Sequence, residues 1–307
     1  MPRLPYNFRG YIAPVFTPVT AEKNLNLSII SEYAKYLSKN GIQGVLVNGT
    51  SGEGMSMSVA DRKKVAEAWA GAIKETRQHL MIQVGGASLP DVIQLAKHAE
   101  KIKADSILCL PELYFKPNNS AQLIEYLKIV SEAAPKTPLL YYHIPMFTHV
   151  NIHMGEFLNK IGDTIPTFVG IKFTSNNLEE GAQAVEANSK KNIIFLGNDQ
   201  LMSAAFAVGM DSFIATSVNI FPDIAIKILE TAKKGDCFKA NEIQKKLSQA
   251  VIAISKYGNW VVTMKTAMAL LSPLDPGPVC EPLKPLSDED IQSMKRDLGS
   301  LGFMLNG

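Results

Sequence analysis

Phe168-Val169-Gly170-Ile171-Lys172-Phe173 is an apolar run broken by a single charge. It does not alternate polar with apolar residues, so it reads as a strand covered on both faces, the pattern of a parallel sheet. On both sides of it, similar short runs recur at residues 11–16, 44–47, 80–84, 106–110, 138–142, 193–196 and 212–215. Amphipathic segments lie between them, among them residues 28–39, 59–75, 91–101, 121–134, 177–187 and 222–233. Each gap is long enough for a right-handed helical crossover. Such a series of strand–helix units predicts an α/β chain closed as a (β/α)8 TIM barrel over residues 1–235. An open doubly wound sheet is the rival. It lacks support after the first strand, where Thr17-Pro18-Val19-Thr20 stands in place of the glycine fingerprint for dinucleotides. Residues 236–307 read as a C-terminal helical extension packed on the barrel. Helical stretches at 242–257, 260–271 and 288–301 are separated there by Leu274-Asp275-Pro276-Gly277-Pro278 and Glu281-Pro282-Leu283-Lys284-Pro285.

Composition sets the limits of function. The chain has 307 residues, 46% hydrophobic and 20% charged, with net charge +2, a balance that offers no electrostatic footprint for nucleic acid or an anionic membrane. No apolar run is long enough for a bilayer span, and Met1-Pro2-Arg3-Leu4-Pro5-Tyr6 opens no signal peptide. Cys109, Cys237 and Cys280 are odd in number and far apart, which points to a reducing, cytoplasmic compartment without disulfides. Asn48-Gly49-Thr50 and Asn118-Asn119-Ser120 match the glycosylation pattern and, with no secretory signal, read as chance matches.

Lys172 carries the strongest chemical signal. An ammonium group in an apolar strand must be paired, reach water from the strand end, or be tuned for use. Desolvation favours a neutral amine, and a neutral amine is the nucleophile that forms Schiff bases with ketones.

Barrel enzymes build their sites at the C-terminal ends of the strands, and that rule selects further candidates. After strand two, Asn48-Gly49-Thr50-Ser51-Gly52-Glu53-Gly54 offers hydroxyl donors on a glycine-rich loop suited to a small carboxylate. Read otherwise, it is a turn whose Thr50 and Ser51 cap the next helix. Strand five ends in Tyr141-Tyr142, whose side chains must face opposite ways, so that one enters the barrel mouth. Strand seven ends in Gly197-Asn198-Asp199-Gln200 and strand eight in Ala215-Thr216-Ser217-Val218-Asn219. Both clusters suit a hydroxyl-rich ligand, and Asp199 and Asn219 could instead cap helices. His143, His149 and His153 lie close in sequence but lack a spacing that would hold a metal.

Gly49-Thr50-Ser51-Gly52-Glu53, Tyr142-His143-Ile144-Pro145 and Gly170-Ile171-Lys172, in that order at strands two, five and six, resemble the pyruvate-dependent class I aldolases of the N-acetylneuraminate lyase and dihydrodipicolinate synthase superfamily. The resemblance runs over nearly the whole chain. The stretch from Val47 to Val59, Tyr141-Tyr142-His143-Ile144-Pro145, and Lys265-Thr266-Ala267-Met268 followed by Pro276-Gly277-Pro278 look most like the animal-type sialic acid lyases. Phe147 stands where dihydrodipicolinate synthases usually carry an arginine for a second carboxylate.

The resemblance implies roles. Lys172 would form the Schiff base, and Thr50 and Ser51 would hold the carboxylate of the pyruvate moiety. Tyr142 would move the proton of the C4 hydroxyl. Thr174, Gly197, Asp199, Gln200 and Thr216 would line the part that takes a polyol tail. Tyr114 would border the site from a neighbouring subunit of a homotetramer. The implied reaction is reversible cleavage of N-acetylneuraminate to N-acetylmannosamine and pyruvate, with no metal or organic cofactor. Two departures bear on substrate scope: Gln200 replaces a customary glutamate, and Val218 a customary tyrosine. Another 2-keto acid as substrate, a silent keto-acid-binding barrel and a zinc aldolase are the competing readings.

Overall fold

The computed structural model describes residues 2–306. Its strands are β1 (Tyr11–Pro14), β2 (Gly44–Val47), β3 (His79–Gln83), β4 (Ser106–Cys109), β5 (Leu139–His143), β6 (Phe168–Phe173), β7 (Ile193–Leu196) and β8 (Ser212–Ile214). They pair in chain order, all parallel, and the β1–β8 pair closes the ring. Closure excludes the open-sheet rival. Strand residues alternate between two apolar layers. Ile12, Leu46, Met81, Leu108, Leu140, Tyr142, Phe195 and Ile214 fill the barrel interior. Tyr11, Val45, Val47, Ile107, Tyr141, Ile171 and Phe213 pack outward against the helices. This is the period-2 rule applied to strands buried on both faces.

Around the barrel run α1 (Ile30–Lys39), α2 (Val59–Thr76), α3 (Leu89–Lys101), α4 (Ser120–Ala133), α5 (Pro145–Thr148), α6 (Met154–Ile161), α7 (Leu178–Glu186), α8 (Met202–Ala207) and α9 (Pro222–Lys233). In α1 the buried residues Ile30, Tyr33, Ala34 and Leu37 recur at helical spacing. Side-chain caps fix several starts: Ser58 accepts from the Asp61 N–H at α2, Asn119 from Gln122 at α4, and Asn177 from Glu180 at α7. The short α5, α6 and α8 add to the helical segments read from the sequence.

The extension consists of α10 (Cys237–Ser255), α11 (Trp260–Leu271) and α12 (Asp288–Ser300). Helix α10 starts earlier than its apolar pattern suggests, because Asp236 caps it by accepting from the Lys239 N–H. It packs on α8 and α9, and α11 leads back to the barrel mouth beside β8.

The two ends of the barrel differ. At the N-terminal end Tyr6 and Phe8 pack against the interior cluster. The Tyr6 hydroxyl lies 3.1 Å from His79 Nε2, which lies 2.8 Å from Ser106 Oγ. That plug leaves the C-terminal end as the open mouth.

Candidate active site

Register places the two central groups. Across β5 and β6, Tyr142 pairs with Lys172, so both side chains project to the same side, into the barrel. Tyr141 projects the other way and packs on Phe157. Lys172 is only 5% exposed, which rules out the strand-end reading in which its ammonium reaches bulk water. Its Nζ donates to the Tyr142 hydroxyl at 3.1 Å and lies 4.2 Å from the centre of the same ring. Tyr142 Oη is in turn 3.2 Å from Thr50 Oγ1. A continuous polar path therefore runs from the β2 loop through a phenol to the amine.

Thr50 and Ser51 do not cap the following helix, since Ser58 does that work. Ser51 instead hydrogen-bonds Thr216 at 2.8 Å, and Trp260 donates from Nε1 to the same Thr216 oxygen at 3.3 Å. The loop's tight course depends on Gly54, where an added Cβ would lie 2.1 Å from the Asn48 carbonyl oxygen. Asn48 itself is buried, with its side-chain amide donating to the Arg62 carbonyl, so its glycosylation match has no accessible acceptor in the fold.

These residues open onto a cavity of about 280 Å³, whose walls include Thr50, Ser51, Tyr142, Lys172, Thr174 and Thr216. Gly197, Asp199 and Gln200 line it as well. Gly197 is required by space: an added Cβ would sit 2.0 Å from Thr174 Oγ1 and 3.1 Å from Lys172 Cε. Thr174 Oγ1 is buried without a hydrogen-bond partner and is free to meet a ligand hydroxyl. Asp199 is buried, and one of its oxygens accepts from the Ser217 N–H at 2.6 Å. Burial pushes this carboxyl up from the ordinary carboxylate range, while the Ser217 hydrogen bonds and the Lys172 charge oppose the shift. Asp199 thus holds the turn after β8 and caps no helix of its own. Gln200 sits exposed at the rim. Asn198 donates to Asn176 there at 2.7 Å.

The remaining candidates lie elsewhere. Tyr114 is 85% exposed and stacks edge-on against Phe115, outside the Lys172 cavity. Val218 packs in the core between barrel and helices and is absent from the cavity wall. Asn219 is buried, accepting from Tyr33 Oη at 2.7 Å and donating to the Pro14 carbonyl. The three histidines serve separate ends. His143 is buried on the outer face of β5, stacked on Phe173. His153 caps α6, and His149 ends α5 in a left-handed conformation.

Strand-end reasoning missed Trp260, a wall of the cavity that belongs to the extension. It also gave no role to Glu53 and Lys265. Their side chains form a buried ion pair at 2.8 Å behind the Thr50-Ser51 loop.

Comparison with known proteins agrees with this geometry. The model of the dihydrodipicolinate synthetase family matches residues 7–301. N-Acetylneuraminate lyase of Homo sapiens is 36% identical over 298 residues, covering 96% of this chain and 93% of that protein. The Gallus gallus enzyme of the same name is 34% identical over 294 residues, 95% of this chain and 96% of its own. Among solved structures, Proteus mirabilis N-acetylneuraminate lyase superposes with a TM-score of 0.91 at 30% identity, over 97% of this chain and all (100%) of that one. With a closed barrel, a buried lysine at its mouth and a family match over almost its full length, the chain belongs to the dihydrodipicolinate synthetase family.

Proposed function

We propose that this protein is a class I aldolase that reversibly cleaves N-acetylneuraminate to N-acetylmannosamine and pyruvate. The observation that carries the reading is the Lys172–Tyr142–Thr50 path at the mouth of a barrel of this family. The Lys172 amine adds to the keto carbon of the open-chain sugar acid and water leaves, giving a protonated imine. As the C3–C4 bond breaks, its electron pair moves toward the iminium nitrogen and gives an enamine. Tyr142 relays the C4 hydroxyl proton in that step, taking it up as its own phenol proton passes to the substrate carboxylate beside Thr50, from which it later returns to the enamine carbon, and C4 leaves as the aldehyde of N-acetylmannosamine. Protonation of the enamine carbon and hydrolysis of the imine release pyruvate and restore the lysine. Thr50 and Ser51 hold the carboxylate, so that the breaking bond is aligned with the imine. Asp199 fixes the turn that carries Thr216, and Thr174, Gly197 and Gln200 face the polyol tail. None of these steps requires a metal or organic cofactor.

Tyr114, exposed beside Phe115, fits an assembly in which it reaches a neighbouring subunit's site. The homotetrameric state we assign is what the superfamily resemblance implies, and the exposure of Tyr114 is compatible with it. No described helix is long and apolar enough to cross a membrane. The three free cysteines fit the reducing, cytoplasmic compartment proposed for the enzyme.

One observation keeps a second substrate in view. Gln200 places an amide at the rim where the resemblance leads one to expect a carboxylate, so the tail contacts differ in charge. Pyruvate release from N-acetylneuraminate, measured beside a panel of other 2-keto acids, tests the assignment. Preferential release from N-acetylneuraminate is expected. Turnover of another keto acid alone would move the protein to a different aldolase activity, and binding without any turnover would make it a silent keto-acid-binding barrel.

A further inference from the structure

The Thr50-Ser51 loop is held from behind by the C-terminal extension. Glu53, three residues past Thr50, adopts a left-handed conformation with φ of 54° and turns its carboxylate into the protein. Glu53 Oε1 accepts from Lys265 Nζ at 2.8 Å, and Oε2 accepts from the Cys280 N–H at 2.5 Å. Lys265 lies on α11 and donates further to the Thr17 carbonyl at 2.8 Å and to the Pro278 carbonyl at 2.7 Å. Its ammonium thus uses three donors on three segments: the β1 loop, the β2 loop and the chain after α11. Thr17 closes the ring by donating from Oγ1 to the Gly52 carbonyl at 2.5 Å. Both charged side chains are fully buried, so neither serves solubility or a surface contact.

The same helix reaches the front of the loop. Trp260, five residues before Lys265, donates to Thr216, which hydrogen-bonds Ser51. One helix of the extension therefore sets Thr50 and Ser51 from two sides, while nothing in the polar path to Lys172 passes through the ion pair.

We infer that Lys265 and Glu53 are positioning residues that preset the Thr50-Ser51 loop for the substrate carboxylate, making α11 a working part of the site. A buried pair costs desolvation and is a poor source of net stability. Its joining of separate chain segments beside the site gives it a different use, that of holding donors at a fixed spacing. The inference rests on the reading of Thr50 and Ser51 as carboxylate holders.

The test compares the parent with Lys265→Met, and with Glu53→Gln as the milder change should the first variant fail to fold. Two readouts are taken on whichever variant keeps the parent's near-UV circular dichroism. The first is hydrogen exchange of the peptide covering residues 48–54, which reads the loop without ligand. Faster exchange there, by a larger factor than in the β5 and β6 peptides, which report only the change in global stability, is expected. Parent-like exchange would overturn the latch. The second is borohydride trapping of pyruvate. The half-saturating pyruvate concentration should rise about tenfold or more, while labelling of Lys172 at saturation stays within about twofold of the parent. An unchanged half-saturation would overturn the positioning role. If the parent itself is not labelled by pyruvate, the aldolase reading fails, and the exchange measurement still decides whether the pair holds the loop.

Discussion

Lys172 and Tyr142 face each other because two parallel strands bring them into register, and the separation of their roles can be tested by single substitutions. Lys172→Ala should abolish turnover and adduct formation with pyruvate. Tyr142→Phe should retain the adduct, since the amine remains, yet lose about 10²–10⁴-fold in turnover, the range for removal of a positioned proton carrier. Steady-state kinetics beside mass spectrometry of the reduced adduct would separate the two effects. Near-parent turnover of Tyr142→Phe would remove the phenol from the mechanism. Gly197→Ala is expected to cut turnover sharply, because the new methyl would press on Thr174 Oγ1 and the Lys172 side chain together. Parent-like kinetics for that variant would mean that the β7 end yields more readily than its packing suggests.

At the scale of elements, charge burial gives the fold a pH signature. Burial holds His79 and His143 down, each to about 4. His79 is half-buried at the barrel base, against Tyr6 and Phe8. His143 lies against Phe173, and His153 adds to the burial in holding it neutral. In the unfolded chain both take up a proton near the ordinary value of about 6.5. Their neutral forms therefore favour the fold fully above that value, and this contribution is lost as pH falls from about 6.5 toward 4. Each histidine should cost about 2 kcal/mol at pH 5 relative to pH 7. Urea midpoints at the two pH values should show the loss, and His143→Gln should reduce it. An equal loss in that variant would place the acid sensitivity elsewhere. Much at this scale was legible in the sequence, because unbroken apolar strands and amphipathic segments report local burial directly. The Lys172 strand, the inward turn of one tyrosine and the glycine-rich loop followed from period and chain order alone. The short α6 and α8 carry too few turns for a clear period, and α10 begins with a polar turn whose start is set by the Asp236 cap. Period alone could not choose between Tyr141 and Tyr142, a choice that needs the register with β6.

For the whole molecule, the long-range contacts are what the sequence hides. Glu53 and Lys265 are separated by 212 positions, and no local pattern announces that they meet. Because the pair is buried, Lys265→Met should also lower stability by about 3–5 kcal/mol, the cost of leaving a buried carboxylate without its partner, which denaturant unfolding would measure. A much smaller loss would mean that water or rearrangement compensates Glu53. The exposed Tyr114 and Phe115, 85% and 82% accessible, are a further property of the whole, since such neighbours are expected to be covered in an assembly. Light scattering should give four times the mass of one chain, and a monomer with full turnover would detach Tyr114 from the site. The chemistry turns on Lys172, and the site of the covalent adduct reports on it without intermediaries. The protein is incubated with pyruvate, reduced with borohydride, digested, and the modified residue located by mass spectrometry. A single adduct on Lys172, absent from Lys172→Ala, is expected. An adduct on another lysine, or undiminished cleavage of N-acetylneuraminate by Lys172→Ala, would contradict it.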